Sequence, residues 1–333
     1  MPVTNPFISI VVPIRNEEAT IERLTRSLLD QDYPHDRYEI LMADGGSSDR
    51  TLELLSRVDA TGRVRVLDNP GRTAPAALNV AIAEAKGDIV TRVDGHSYVA
   101  HDYLSRIVAV MGATGESVVG GPVRMLADTP FRQALVAALY SKIAVGAVPY
   151  RTLQERAYVE SLQTGSFKKE VLAEVGPFDE GLAVVEDLDM NTRIRKAGYK
   201  LLLDPSIRFW YLPRPSLGAL WRQIYAVGLV KARILRKHPD IFKWKYVLPS
   251  VFVLTLAAAS VLALCGAIAG MAFLAAYAAV VAGFSLAHVP RLGAGAFRLV
   301  AILPTLHVGY GVGFLSGASE KILGRSSQVP GAP

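Results

Sequence analysis

The sequence predicts an α/β domain on a mostly parallel, Rossmann-like sheet, followed by a basic interfacial helix and C-terminal transmembrane helices. Three observations point there. Apolar runs of strand length alternate with helical patterns from Ile8 to Val93, and acidic residues stand where those runs end. A run of 42 residues, from Val247 to His288, carries no Asp, Glu, Lys or Arg. Since about 20 apolar residues cross a bilayer, that run is long enough to cross and return.

Ile8 to Ile14 is the first apolar strand, and Asn16, Glu17 and Glu18 open a helical pattern through Ile21, Leu24 and Leu28. The alternation continues with strand Tyr38 to Ala43, helix Thr51 to Val58, strand Val64 to Leu67, helix Ala74 to Ala85 and strand Ile89 to Val93. Strands that are apolar along their length imply a parallel sheet covered on both faces. Ligands of such sheets bind at the carboxyl ends of strands, near the switch in strand order. Asp44 and Asp94 stand at two of those ends.

From Val118 the pattern is less regular, with Gly120-Gly121-Pro122, a helical stretch from Gln133 to Ala144, and Thr164-Gly165-Ser166. This reads as the acceptor half of the same domain. Ser216 to Lys237 has helical spacing, one side apolar and the other basic, and is expected along a membrane surface. Two spans are expected, Val247 to Cys265 and Ala267 to Ala287, and a third apolar stretch, Phe297 to Leu315, is interrupted by Pro304 and glycines. The expected divisions are a catalytic domain at 1–215, a basic interfacial segment at 216–245, a membrane domain of two to three spans at 246–320 and a tail at 321–333. Gln328 to Pro333 reads as disordered.

Composition agrees with two regions, since 333 residues at 51% hydrophobic content and a mean hydropathy of +0.28 exceed what a soluble domain usually carries. The net charge of +6 is concentrated before the apolar run: Pro205 to Lys245 holds nine Lys or Arg against the single acid Asp240. That clustering fits anionic membrane lipids and a positive-inside flank, and argues against nucleic acid. A single cysteine, Cys265, excludes an intramolecular disulfide or a cysteine metal cluster. Met1 to Phe7 lacks the sections of a signal peptide, so the expected location is the cytoplasmic (inner) membrane, multi-pass, with the catalytic domain facing the cytoplasm.

Three constellations can carry chemistry. Asp44-Gly45-Gly46-Ser47-Ser48-Asp49 lies between a strand and a helix, where small residues admit a ligand and a strand-end carboxylate can accept from a base or sugar. It is also what a turn with Asp49 as a helix cap would look like. Asp94-Gly95-His96 follows a strand, where such a pair can hold a divalent cation against a diphosphate, although a carboxylate and a histidine in a turn are by themselves more often plain surface residues. Glu186-Asp187-Leu188-Asp189 opens a helix, where acids favour the positive end of the dipole, and three carboxylates in four residues also suggest a general base with a raised pKa.

Together these blocks, with the opening Ile10-Val11-Val12-Pro13-Ile14-Arg15-Asn16-Glu17-Glu18, resemble family 2 glycosyltransferases with the GT-A fold, in the family's order and over about residues 8 to 215. The chain is most similar to the membrane glucosyltransferases of bacterial succinoglycan-type exopolysaccharide assembly, including its stretch His307-Val308-Gly309-Tyr310-Gly311-Val312-Gly313. The resemblance implies that Pro13 and Glu17 border the nucleotide pocket and Asp44 holds the base. It implies that Asp94 and His96 occupy the Asp-x-Asp position, on metal and diphosphate, and that Asp187 is the base with Glu186 beside it. His96 departs from the aspartate of many members; imidazole is a poorer ligand for Mg²⁺ than for Mn²⁺, so either the metal preference shifts or His96 contacts phosphate directly, and the implied cofactor is a divalent cation, Mn²⁺ or Mg²⁺. The Gln-x-x-Arg-Trp of processive members is absent, which favours one transfer per encounter.

The expected activity is therefore inverting transfer of a hexose from a nucleotide-diphosphate sugar, UDP-linked, to a lipid-linked (polyprenyl diphosphate) saccharide in cell-surface polysaccharide assembly. A polyprenyl-monophosphate hexose synthase is the alternative enzyme. A non-catalytic nucleotide-sugar sensor or scaffold is the reading outside enzymes, and the acidic set at 44, 94, 186 and 187 weighs against it.

Overall fold

The structure, a computed structural model, describes residues 5–145 and 153–323. The expected tail Gln328 to Pro333 lies outside the described residues. Residues up to Arg124 together with 153 to Leu212 form one compact unit, and 125 to 145 together with 213 to 323 form a second. The stretch after Met125, expected within the catalytic domain, therefore packs with the C-terminal helices.

The first unit contains β1 (Ile8–Ile14), β2 (Tyr38–Asp44), β3 (Val64–Asp68), β4 (Ile89–Arg92), β5 (Ser97–Val99), β6 (Val118–Gly120), β7 (Val123–Met125, which runs into the boundary), β8 (Ala157–Val159), β9 (Ser166–Lys168), β10 (Leu201–Leu203) and β11 (Phe209–Tyr211). Eight of these form one sheet in the order β3-β2-β1-β4-β9-β6-β10-β8. The pairs β3-β2, β2-β1, β1-β4 and β6-β10 are parallel, while β9 and β8 run against their neighbours. A smaller sheet has the order β5-β11-β7.

This order follows from the strand sequences. Ile8, Ile10, Val11, Val12, Ile40, Leu41 and Met42 are all buried, so successive residues on both faces of β1 and β2 meet apolar neighbours. One face packs into a cluster with Leu78, Phe167, Met190 and Ile194. Each such side chain contributes about 1.5–3 kcal/mol relative to exposure. Helices Ile21–Leu29, Thr51–Val58 and Ala74–Glu84 make the crossovers; the last starts on Thr73, whose hydroxyl accepts from Ala76 N at 3.4 Å, with Pro75 in the first turn.

β1 is flanked by β2 on one side and β4 on the other, so the strand order reverses between β1 and β4. The carboxyl ends of both strands, and of β2, meet there, with Ile14 opposite Asp44 and Val11 opposite Arg92. That is the switch point at which open α/β sheets bind ligands.

The second unit is helical: Pro130–Leu139, Lys142–Val145, Leu217–Lys237, Leu248–Leu264, Ile268–Ala287 and Leu299–Leu323. The single stretch expected from Gln133 to Ala144 breaks at Tyr140 and Ser141. Ile268–Ala287 and the stretch Val289–Glu320 are long and apolar enough to cross a membrane, whereas Leu248–Leu264 has 17 residues, at the lower end of a spanning length.

Helix Leu217–Lys237 forms as the spacing predicts, and much of its apolar side packs on Leu299–Leu323. It lies parallel to Leu299–Leu323, and the contacts advance in step: Trp221 and Ile224 on Gly309, Tyr225 on Gly313, Leu229 on Gly317, and Arg233 on Glu320. A Cβ at Gly228 would stand 2.2 Å from Tyr310 O, and one at Gly313 would stand 2.0 Å from Tyr225 O. Gly313 and Gly317 of the third apolar stretch, with Gly228 opposite, are thus where the two backbones touch, a small-residue interface, whereas Gly311 faces Pro249 O of helix Leu248–Leu264. Arg233 donates to Glu320 at 2.6 and 3.0 Å at the far end of the pair.

Candidate active site

The site is built from loops at the carboxyl edge of the first unit. After β1, Asn16 adopts φ +55°, a left-handed turn that Asn tolerates. Its N–H donates to Ser47 Oγ at 2.9 Å and its Oδ1 accepts from Ser48 N at 2.8 Å, locking the loop after β1 to the loop after β2. Glu17 N donates to Thr51 Oγ1 at 2.7 Å, and Glu18 N to Asp49 Oδ2 at 3.1 Å. Asp49 also accepts from Thr51 N and Thr51 Oγ1, so its role is to brace these loops at the start of helix Thr51–Val58.

Asp44 is turned into its own loop. Its carboxylate accepts from Gly46 N at 3.1 Å, from Ser47 N at 3.1 and 3.2 Å and from Ser47 Oγ at 2.6 Å. A carboxylate has about four acceptor positions, and these contacts, two on each oxygen, commit Asp44 largely to shaping the loop. Pro13 lies past the last rung that joins β1 to β4, where its missing N–H costs no ladder bond.

Gly95 lets the turn after β4 close onto β1: a Cβ there would meet Glu17 Cγ and Pro13 O, each at 3.0 Å. On one side of it Asp94 is buried, and on the other His96 is partly buried. The His96 ring lies edge-on to Tyr211 at 4.9 Å, and His96 Nδ1 is 3.3 Å from Glu17 Oε1. Glu17 Oε2 accepts from Thr20 Oγ1 at 2.9 Å, which holds the carboxylate in place.

The decisive residue is one that the sequence reading missed. Arg92, the last residue of β4, is buried with its Nε donating to Asp94 Oδ1 at 2.8 Å and its Nη2 to Glu186 Oε1 at 2.6 Å. Burial alone works to lower its pKa, and the charges of Asp94, Glu186 and Asp187 outweigh that, holding the guanidinium charged far above its ordinary range. A lone cation in an apolar strand had to find a buried anion, which was the available signal. Through it the second and third acidic blocks become one site.

Glu186 and Asp187 begin the helix Glu186–Lys196 after Val185, whose φ of +61° is strained for a β-branched side chain. Successive helical positions are about 100° apart, so Glu186 turns into the protein while Asp187 stays partly exposed. The crowding expected to raise a pKa is relieved: Glu186 pairs with Arg92, and Asp189, fully buried, accepts from Arg193 Nε at 2.9 Å. Arg193 also donates to Val175 O and to Pro177 O at 2.8 Å, so that second pair is structural. Basicity at Asp187 cannot then be argued from three mutually repelling carboxylates.

Among the described residues no three His, Cys, Asp or Glu groups form a closed metal cage. Asp94 Oδ2 remains beyond the Arg92 contact, and His96 Nε2 remains beyond the Glu17 contact. Asp94, Glu186 and Asp187 with Arg92 leave a formal charge of −2. Carboxylate and imidazole are both divalent-cation donors, so Asp94 and His96 are the two residues here that could hold one.

Residues 9–167 match the description of Glycosyl transferase family 2. A succinoglycan biosynthesis protein, ExoA of Rhizobium meliloti, is 32% identical over 250 residues, 74% of this chain and 76% of that protein. The chain belongs to glycosyl transferase family 2.

Another relative is the dolichyl N-acetyl-α-D-glucosaminyl phosphate 3-β-D-2,3-diacetamido-2,3-dideoxy-β-D-glucuronosyltransferase of Methanococcus voltae, 26% identical over 74% of this chain and 80% of that one. In fold, the mannosyltransferase PcManGT of Pyrobaculum calidifontis, solved with GDP-Man and Mn²⁺, is similar at TM-score 0.57 and 22% identity over 92% of this chain and 88% of that one. S. aureus TarS 1-349 with UDP is similar at TM-score 0.51 and 17% identity over 97% of this chain and 93% of that one. The family 2 chain is thus a glycosyltransferase with the GT-A fold.

Proposed function

We propose that this family 2 enzyme transfers a hexose, with inversion, from a nucleotide-diphosphate sugar to a lipid-linked saccharide during cell-surface polysaccharide assembly. The observation that carries the reading is the convergence of Asp94 and Glu186 on the single buried guanidinium of Arg92, with Asp187 beside them, at the switch point of the sheet. A relative in succinoglycan biosynthesis and one named for a dolichyl phosphate-linked sugar support the acceptor class.

In this reading the interlocked loops after β1 and β2 receive the nucleoside, with Pro13 and Glu17 at its border and Asp44 accepting from the base. Asp94 and His96 would hold a divalent cation, Mn²⁺ in preference to Mg²⁺. When bound, that cation supplies positive charge to the leaving diphosphate. A proton on His96 Nδ1 shared with Glu17 leaves Nε2 as a donor atom, the arrangement usual for ligating histidines.

Asp187, partly exposed next to buried Glu186, takes the proton of the acceptor hydroxyl as its oxygen bonds to the anomeric carbon. The bond from that carbon to the diphosphate oxygen breaks, and the nucleoside diphosphate leaves from the opposite face. A single displacement makes a β-glycoside from an α-linked donor. Attachment to apolar helices in the same chain keeps the enzyme on the membrane, where a polyprenyl-linked acceptor is concentrated.

The test is to incubate membranes containing the protein with a panel of labelled UDP- and GDP-sugars and extract the lipids. Label in a lipid-linked, acid-labile product, absent with Asp94→Ala, is expected. Nucleotide-sugar turnover that survives Asp94→Ala would overturn the assignment.

A further inference from the structure

We propose that Arg92 is a positioning residue that ties the acceptor-side acid to the donor-side acid, setting the rate of transfer rather than the affinity for the donor. The inference rests on the glycosyl-transfer reading above and goes beyond it to a residue outside the acidic blocks.

The geometry separates two functions within one side chain. Nε, nearer the backbone, donates to Asp94 Oδ1 at 2.8 Å; Nη2, at the tip, donates to Glu186 Oε1 at 2.6 Å. Asp94 follows the strand β4 by two residues, whereas Glu186 arrives from a helix 94 positions away from Arg92 in sequence. All three side chains are below 10% exposed, so neither pair is replaced by water. The backbone entering that helix is strained, with Val185 at φ +61° in a left-handed conformation that a β-branched residue rarely adopts. Such a conformation persists only where surrounding contacts over-determine it. The Arg92–Glu186 pair is fixed one residue later, and it ties the first turn carrying Asp187 to β4 of the central sheet.

A lysine at 92 tests this division. Its ammonium reaches about as far as Nε and the guanidinium carbon, so it keeps a cation beside Asp94 while losing the fork to Glu186. Displacing a reacting group by about 1 Å costs on the order of 10²-fold in rate. The expectation for Arg92→Lys is therefore a kcat lower by about 10²-fold with the donor KM within about threefold of wild type.

The experiment measures kcat and donor KM in native membranes, using whichever labelled UDP- or GDP-sugar the wild type incorporates into extractable lipid, and melting temperature of the detergent-purified full chain. Glu186→Gln and the double variant Arg92→Lys/Glu186→Gln complete a cycle, and the double is expected to be no slower than the slower single. A kcat loss with unchanged donor KM, unchanged melting temperature and this non-additivity supports the proposal. Wild-type kcat in Arg92→Lys, a KM that rises in proportion to the loss, or a kcat loss that merely follows a lowered melting temperature overturns it. A wild type that turns over no sugar nucleotide removes the glycosyl-transfer reading and this proposal together; an active wild type beside an equally active Arg92→Lys removes the proposal alone.

Discussion

Glu17 and His96 meet at 3.3 Å through Oε1 and Nδ1, across 79 positions of sequence. Glu17 was expected at the border of a nucleotide pocket and His96 on a cation; the structure joins the two expectations. If Glu17 fixes the imidazole tautomer, Glu17→Gln weakens Mn²⁺ dependence about 10–100-fold, the usual effect of altering a ligand's hydrogen-bonded partner. Chelation is expected to abolish transfer, and Mn²⁺ to restore it better than Mg²⁺. Titrating Mn²⁺ into chelated wild type and Glu17→Gln, with label in the lipid extract as readout, checks both; full turnover in chelator rules the cation out.

Asp187→Asn keeps the size and place of the side chain and removes its ability to accept a proton. With a hydroxyl acceptor, kcat should fall by about 10²–10⁴-fold with donor KM little changed. A phosphate acceptor, already ionised, needs no base, and the same variant would then retain most turnover. Product lipids from wild type and Asp187→Asn membranes, compared at saturating donor, separate the two.

The first sheet was legible because its strands are buried on both faces: each apolar run from Ile8 to Val93 is a strand or helix within one or two residues of its expected bounds, except the first helix, which begins at Ile21 rather than at Asn16 to Glu18. The acidic blocks were legible as blocks. Their connection was not, because Arg92 reads as an ordinary strand residue until Glu186 is placed opposite it. The crowding argument for Asp187 failed for the same reason, since Arg92 and Arg193 lie outside the four-residue window that held the acids. Helix Leu217–Lys237 showed its two faces in sequence, but what covers the apolar one comes from residues 309 to 320, and spacing within one helix cannot name a partner so distant.

Acid sensitivity should come from the bracing carboxylates. Burial works to raise the pKa of Asp49 and of Asp204, but hydrogen bonds from Thr51 and Glu18 to the first, and from Ser206 and Arg156 to the second, hold both below the ordinary 3.8. A carboxyl depressed on folding stabilises above its unfolded pKa, and that contribution is lost as pH falls through the lower, folded value. Melting temperature should therefore be level from neutrality to about pH 5 and then decline toward pH 3. Asp204→Asn, which gives up charge-assisted bonds from Ser206 and from Arg156 at 2.6 Å, should cost about 1–3 kcal/mol at pH 7 and flatten that decline. A decline equally steep in Asp204→Asn would place the sensitivity elsewhere.

The parallel pairing of Leu217–Lys237 with Leu299–Leu323 depends on absent side chains. At Gly313 a Cβ would lie 2.0 Å from Tyr225 O, a backbone atom that cannot turn aside, so Gly313→Val should force the helices apart. Overpacking of this kind costs about 1–3 kcal/mol or more. It also draws Glu320 away from Arg233 and Arg236, weakening the ion pairs at one end of the helix pair. Gly283→Ala is the control: it lies in the apolar helix Ile268–Ala287, and nothing stands within 4 Å of the added carbon. In detergent, Gly313→Val should lower the melting temperature by several degrees while Gly283→Ala holds or raises it, because alanine favours a helix over glycine by about 1 kcal/mol. Equal melting temperatures for wild type and Gly313→Val would mean that the two helices do not rely on this contact.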